Sequence, residues 1–137
     1  MSNIRENKQQ LQQQIQALGN AAASALPDNW ERVVVGFFLS GEKLVTHLQF
    51  HVMTTTSDDY IDLMNASWDT DAYDGAISEI QQICKKIRSI CVAARDSWMS
   101  MTFCMMADGS FNIDYDYDAI ERYDPAFIMM WQSQYLT

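Results

Sequence analysis

The chain has 137 residues, of which 48% are hydrophobic and 20% are charged, the length and composition of one globular domain with its own core. Nine Lys and Arg against 18 Asp and Glu give a net charge of −9. This argues against direct binding to nucleic acid or to an anionic membrane, because both attract basic surfaces. We therefore predict a single domain over residues 1–137 and favour a basic partner.

The first predicted elements are a helix and a hairpin. Apolar residues spaced three, four or seven apart predict a helix over residues 2–26, which Pro27 ends. Residues 30–40 are apolar on both faces, as in a strand covered on both sides. Residues 44–53 alternate in polarity and form the returning strand of the hairpin. Residues 60–64 predict a short third strand.

A second helix, a second hairpin and a last helix follow. The apolar period returns to 3.6 residues over 73–95, which predicts the central helix. Residues 98–107 and 110–118 predict two strands joined at Asp108-Gly109, a strong hairpin signal. A short helix over about 124–135 closes the chain. The order α-β-β-(β)-α-β-β-α predicts an α+β fold, with an antiparallel sheet of four or five strands and N-terminal, central and C-terminal helices.

The N-terminus and the cysteines indicate a cytoplasmic protein. Residues 1–16 contain no apolar run that could serve as a signal peptide, and no stretch reaches the roughly 20 apolar residues of a membrane-spanning helix. Cys84 and Cys91 lie about 10 Å apart along the central helix, farther than the roughly 7 Å that a disulfide spans. We therefore expect reduced, buried thiols and a cytoplasmic location.

The negative charge is concentrated in two blocks. Residues 58–80 hold seven acids and no base, and residues 108–124 hold six acids and one base. In the second block, Asp114, Asp116 and Asp118 share one face of a strand, where like charges roughly 7 Å apart repel each other. Two interpretations remain open: a solvated face whose charges prevent aggregation, or an anionic patch that docks Lys and Arg of another protein.

Catalytic and metal motifs are absent from the sequence. His47 and His51 lie about 13 Å apart on one strand, too far to hold one ion, and we expect both to be surface histidines. The D-x-D-x-D pattern from Asp114 lacks the Gly and Glu of a calcium loop, which are replaced by Ala119 and Pro125. Phosphate loops and hydrolase motifs do not occur. We therefore predict a protein that is not an enzyme and has no cofactor.

Aromatic and turn motifs resemble the YezG-like family of bacterial immunity proteins. The stretch 26–30, Leu-Pro-Asp-Asn-Trp, is similar to the Pro-x-x-Trp motif that leads into the first strand of that family. The other matching motifs are Trp98, Thr102-Phe103, Asp108-Gly109, residues 111–118, Trp131 and Tyr135-Leu136. Family members are small antitoxins that neutralise cognate polymorphic toxins, often nucleases. The resemblance implies the same role and a helix–hairpin–helix–hairpin–helix order.

The leading hypothesis is an immunity protein that is monomeric alone. It would bind tightly and 1:1 to a toxin with a basic C-terminal domain, a nuclease from a contact-dependent growth inhibition or related system. The acidic blocks would supply the contact, with aromatic anchors among the charges. The candidate toxin-binding residues are Asp58, Asp59, Tyr60, Asp62, Trp68, Asp69, Asp71, Tyr73, Asp74, Asp114, Asp116 and Asp118. The alternatives are an acidic secretion chaperone, usually dimeric, that holds an effector in the cytosol, and a small hydrolase.

Overall fold

The structure is a computed structural model that describes residues 4–64 and 71–137, with residues 4–6 and 71–74 described by their backbone only. Within these residues there are three α-helices and five β-strands. They are α1 (Ile4–Ser24), β1 (Trp30–Ser40), β2 (Val45–Thr54), β3 (Ile61–Asp62), α2 (Asp71–Ala93), β4 (Ser100–Met106), β5 (Phe111–Asp116) and α3 (Pro125–Tyr135). The predicted order and α+β class are confirmed, and β1 has the predicted bounds.

Contacts between Cα atoms divide the chain into two compact units. The helical unit comprises residues 1–26 and 67–98, and the sheet unit comprises residues 27–66 and 99–137. Their charges differ, because the sheet unit contains twelve acids and three bases, whereas the helical unit contains six of each. The whole net charge of −9 therefore belongs to the sheet unit. The single domain over 1–137 stays a prediction.

The helical unit contains α1 and α2, which pack against each other. Leu18 and Ala22 of α1 are fully buried and lie four residues apart, as do the buried Ile80 and Cys84 of α2. The predicted apolar stripes are therefore confirmed. Cys91 is also buried, and neither cysteine of α2 forms a disulfide. Burial raises the pKa of Cys84 to about 12, so this thiol stays protonated and unreactive.

The sheet unit contains one antiparallel sheet with the strand order β3-β2-β1-β4-β5. The central strand β1 is buried on both faces over residues 33–40, as its sequence predicts. The chain turns from β1 into β2 through Gly41, whose φ is +73°. Leu44 was expected to begin β2, and this is wrong. Its φ of +52° places it in the turn, so its exposed side chain does not join the strand face.

Helix α3 covers one face of this sheet, which we call the α3 face. Asp124 caps the helix by accepting a hydrogen bond from the Phe127 amide at 3.0 Å. The buried Trp131 then packs edge-on against Phe38 of β1, with the ring centroids 5.5 Å apart. Its indole Nε1 donates to Thr102 Oγ1 of β4 at 2.9 Å. Trp131 thus joins α3 to the two central strands.

Gly36 of β1 allows this close approach. A Cβ atom at Gly36 would lie 2.6 Å from Cζ2 of Trp131 and 2.7 Å from Cζ of Phe38, well inside normal contact distances. A glycine in the middle of a central strand weakens the strand, so its presence indicates that another group approaches the backbone there.

We expect Gly36→Ala to lower the free energy of unfolding by about 1–3 kcal/mol, because the new methyl group must displace two packed rings. The matched control is Gly75→Ala in α2, where a Cβ meets no atom within 4 Å and alanine is favoured in a helix by about 0.5–1 kcal/mol. Urea unfolding measures both variants. An unchanged midpoint for Gly36→Ala would contradict the contact with Trp131.

Candidate functional site

The strand register places the acidic face of β5 on the side of the sheet that α3 covers. Thr102, which accepts the hydrogen bond from Trp131, pairs with Asp114, and Ser100 pairs with Asp116. Paired residues of antiparallel strands point to the same face. The carboxylates of Asp114 and Asp116 therefore project on the α3 face, where both are exposed.

A cleft of about 440 Å³, the β5 cleft, lies between β5 and α3. Its floor is apolar, because the buried side chains of Phe38, Ile120 and Trp131 line it. Its exposed rim holds the charged residues Asp114, Asp116, Asp118, Glu121 and Arg122. Four carboxylates against one guanidinium make this rim negative, and the cleft suits a side chain with an apolar stem and a cationic end.

Two neighbouring side chains hold Asp114 in place. Tyr135 Oη donates to Asp114 Oδ2 at 3.2 Å, and Asn112 Nδ2 donates to Asp114 Oδ1 at 3.1 Å. Partial burial raises the pKa of Tyr135, and the negative charge of Asp114 raises it further. The phenol therefore remains a hydrogen-bond donor at neutral pH and keeps this carboxylate at the rim.

A second cleft of about 390 Å³, the β3 cleft, lies on the other side of α3. Asp59, Tyr60 and Asp62 line it, together with His51, which pairs with Asp62 across β2 and β3. Asp58 precedes this group and is exposed. Tyr60 is half-buried, and its hydroxyl accepts a hydrogen bond from Arg32 Nη1 at 2.9 Å. Its ring therefore belongs partly to the core and only partly to the surface.

Helix α3 presents two exposed methionines between these clefts. Met129 lines the β3 cleft, Met130 lines the β5 cleft, and the side chain of each is 68% exposed. Methionine is adaptable and enriched at protein interfaces. The predicted binding residues did not include this pair. Helical spacing could have identified it, since Trp131 faces the sheet and the two preceding residues lie off that direction.

The structure brings together predicted binding residues from both acidic blocks. Part of the first block is in the β3 cleft, and Asp114, Asp116 and Asp118 of the second block are in the β5 cleft. The edge strands β3 and β5 are four strand spacings apart, or roughly 19 Å. Two segments that are distant in sequence therefore share one face of the sheet unit. We call this the acidic α3 surface: both clefts together with Met129 and Met130.

The structure does not describe the side chains of five other predicted binding residues. Trp68 and Asp69 lie outside the described residues. Asp71, Tyr73 and Asp74 fall in the first turn of α2, where only the backbone is described. These five positions belong to the helical unit, and their role in binding stays a prediction.

The expectation of two surface histidines is wrong for His51, which is only 2% exposed. Its Nε2 lies 2.7 Å from Gln49 Oε1. His47 is half-buried, stacks on Tyr123 with the ring centroids 3.9 Å apart, and places Nε2 2.8 Å from Ser40 Oγ. The alternation of polar and apolar residues along β2 predicts a solvated polar face. In the structure, α3 and the segment before it pack over that face.

Because His47 and His51 are shielded from solvent, we expect the protein to lose stability in mild acid. Burial lowers the pKa of both below the ordinary 6.5, although Asp62 opposes the shift in His51. Between the lowered pKa and 6.5 the unfolded chain binds more protons, so stability is complete above this window and falls as the pH drops through it. The urea concentration at the unfolding midpoint should decrease when the pH is lowered from about 7.5 to about 5.5. His47→Gln/His51→Gln should flatten this dependence, and an equal slope in that variant would contradict the assignment.

Neither a metal centre nor a membrane span is found in the described part of the chain. No three His, Cys, Asp or Glu side chains among those residues are grouped closely enough to hold a metal ion. None of the helices there is both long and apolar enough to cross a bilayer.

The fold and this surface define a small α+β protein with an acidic cleft on each side of α3, which exposes Met129 and Met130 between them. The model of the YezG-like immunity protein family matches residues 11–136. The chain therefore belongs to the YezG-like immunity protein family, as its motifs predict. No curated protein matches it.

Proposed function

We propose that this immunity protein neutralises its cognate toxin by binding a basic region of the toxin on the acidic α3 surface. The observation that carries the proposal is the convergence of two acidic clefts beside Met129 and Met130 on one face. Membership of an immunity protein family supports an inhibitory role and not an enzymatic one. The binding partner of an immunity protein is a toxin, and the clefts suggest which part of the toxin is bound.

The charge distribution supports a basic partner. Twelve acids and three bases give the sheet unit the whole negative charge of the chain. One of those bases, Arg32, bonds to Tyr60 and to the Thr137 carbonyl oxygen, so it is engaged within the unit. A surface of one sign steers an oppositely charged partner and raises its association rate.

The shape of the β5 cleft supports lysine and arginine as the contacting residues. Their methylene stems can cover apolar surface while the charged group stays at a polar rim. The cleft offers both, because Phe127 and Trp131 line it beside the carboxylates of Asp114 and Asp116. Aromatic rings add a cation–π attraction for a nearby guanidinium or ammonium group.

A nuclease toxin would present such residues, because its nucleic-acid groove must attract phosphates. An acidic protein that binds there would exclude the nucleic acid. We therefore propose a basic C-terminal nuclease domain from a contact-dependent growth inhibition or related system as the toxin. We further propose a cytoplasmic location, a 1:1 complex and a monomeric free chain.

Calorimetry with a purified cognate toxin domain tests the proposal. We expect a 1:1 complex with a Kd of about 1 nM or less at about 0.1 M salt, weakening about tenfold or more at about 1 M salt, where charges are screened. Salt-independent affinity would contradict binding through the acidic α3 surface. Light scattering of the free chain should show a monomer, whereas a stable dimer would favour the secretion chaperone.

A further inference from the structure

Strand β5 is the long open edge of the sheet. It pairs with β4 on one side and ends the strand order on the other. None of its six residues is buried, so its outer side is accessible. The strand at the opposite edge, β3, has only two residues and is too short to align an added strand.

The register determines which backbone groups of β5 point to this open edge. The Met106 amide donates to the Ser110 carbonyl at 2.8 Å, which makes these two residues a hydrogen-bonded pair. Such pairs recur at every second residue along an antiparallel ladder, and the β4–β5 register is continuous. The backbone groups of Asn112 and Asp114 therefore face β4.

The intervening residues have the opposite orientation. The N–H and C=O groups of Phe111 and Ile113 point away from β4, towards the open edge. The Phe111 side chain is also 57% exposed, although phenylalanine is among the residue types most often buried. Unpaired backbone donors and acceptors along an edge form a template on which another strand can add.

The side chains of β5 determine which strand would fit. On the α3 face, Asp114 and Asp116 require basic neighbours, and on the opposite face Phe111 and Ile113 require apolar neighbours. Neighbouring strands contribute side chains to each face with a period of two. A complementary strand therefore alternates Lys or Arg with apolar residues.

We propose that β5 pairs with an extended strand of the toxin in which Lys or Arg alternates with apolar residues. Naming the toxin as the partner rests on the proposed function, whereas the strand pairing can be tested without it. A second copy of this chain does not fit. Two paired β5 strands would set Asp114 and Asp116 of both copies on the same face, where like charges repel.

The first test uses the full chain and a synthetic peptide of about ten residues that alternates Lys and Val, a common strand length and pattern. Hydrogen exchange followed by NMR should show new protection at the Phe111 and Ile113 amides when the peptide is added. The Asn112 and Asp114 amides should be protected already in the free chain. A peptide of the same composition with its Lys and Val in separate blocks is the control for charge alone, and we expect it to give no protection.

Backbone pairing is tested separately by changing the peptide and the chain. N-methylation of the peptide at alternate residues, which removes the amides facing β5, should weaken binding about tenfold or more through the lost hydrogen bonds. Ile113→Pro removes one outward donor and leaves the bonds to β4 intact, and it should weaken binding about tenfold. Ile113→Val is its matched control. If Ile113→Pro fails to fold, the N-methylated peptide gives the result with the unaltered chain.

Several outcomes would overturn the strand pairing. They are no binding of the alternating peptide, equal binding of the N-methylated peptide, or protection that appears only outside β5. None of these outcomes would contradict the proposal that the acidic α3 surface binds the toxin. Conversely, the peptide could pair with β5 while substitutions in the acidic α3 surface leave toxin binding unchanged. That result would support the strand pairing and overturn the proposed function.

Discussion

Asp114→Lys/Asp116→Lys should abolish neutralisation of the toxin while the chain stays folded. Both side chains are exposed on the rim of the β5 cleft, so the substitutions remove two attractive charges and introduce two repulsive ones. Close charge pairs across an interface are each coupled by about 1.5 kcal/mol or more, and two of them correspond to a loss of affinity of about 100-fold or more. Calorimetry measures this loss, and survival of cells that express the toxin domain measures protection.

The matched control is Asp28→Lys/Glu31→Lys, which changes the net charge by the same amount. Both residues are exposed, and neither lines the β3 cleft or the β5 cleft. We expect this variant to protect as well as the unaltered chain. Equal losses in both variants would show that only bulk charge matters, and full protection by the first would remove the β5 cleft from the interface.

A third charge reversal tests the helical unit. The sequence predicts that Asp69, Asp71 and Asp74 also contact the toxin, so reversing all three should abolish protection. Normal protection with intact folding would remove these three residues from the interface. A loss comparable to that of Asp114→Lys/Asp116→Lys would instead show that both acidic blocks are required.

Trp131→Ala should lower the free energy of unfolding by about 3–5 kcal/mol, the usual cost of removing a buried tryptophan. It removes the ring that packs against Phe38, and it leaves the Thr102 hydroxyl without its indole donor. Because α3 forms one wall of each cleft, toxin binding should fall as well. Urea unfolding followed by circular dichroism measures the stability, and calorimetry measures the binding.

Met130→Ala separates stability from binding on the same helix. The Met130 side chain is 68% exposed, so its loss should change the free energy of unfolding by about 0.5 kcal/mol or less. Toxin affinity should nevertheless fall, because this side chain lines the β5 cleft. Unchanged toxin affinity in Met130→Ala would exclude this side chain from the interface. A Trp131→Ala variant as stable as the unaltered chain would contradict the packing of α3 on the sheet.

Local patterns were sufficient for the elements of this fold. Hydrophobic period distinguishes a helix from a strand without reference to distant residues, and every described element has bounds within two residues of those predicted. The hairpin at Asp108-Gly109 was predicted for a similar reason, since Gly109 has a φ of +91° that glycine adopts without strain. Turn chemistry and periodicity are properties of neighbouring residues, and the sequence contains them directly.

The composition of the candidate site was also visible in the sequence. The acidic residues of 58–62 and 114–118 were identified from charge alone, and the family from its aromatic and turn motifs. The burial of His51 and the exposure of Met130 were not identified. Both depend on where α3 lies. The alternation along β2 does not say whether a helix covers its polar face, and the apolar sequence of α3 does not say which side of the helix faces the sheet.

The sequence by itself therefore determined the α+β order, the family and the presence of two acidic blocks. Only the tertiary structure decided that described residues of both blocks lie on one face, on either side of α3. That arrangement follows from the strand order β3-β2-β1-β4-β5 and from the contact of Trp131 with Gly36 and Thr102. These contacts join residues that are far apart in the chain, so they depend on packing in three dimensions and leave no periodic signal in the sequence.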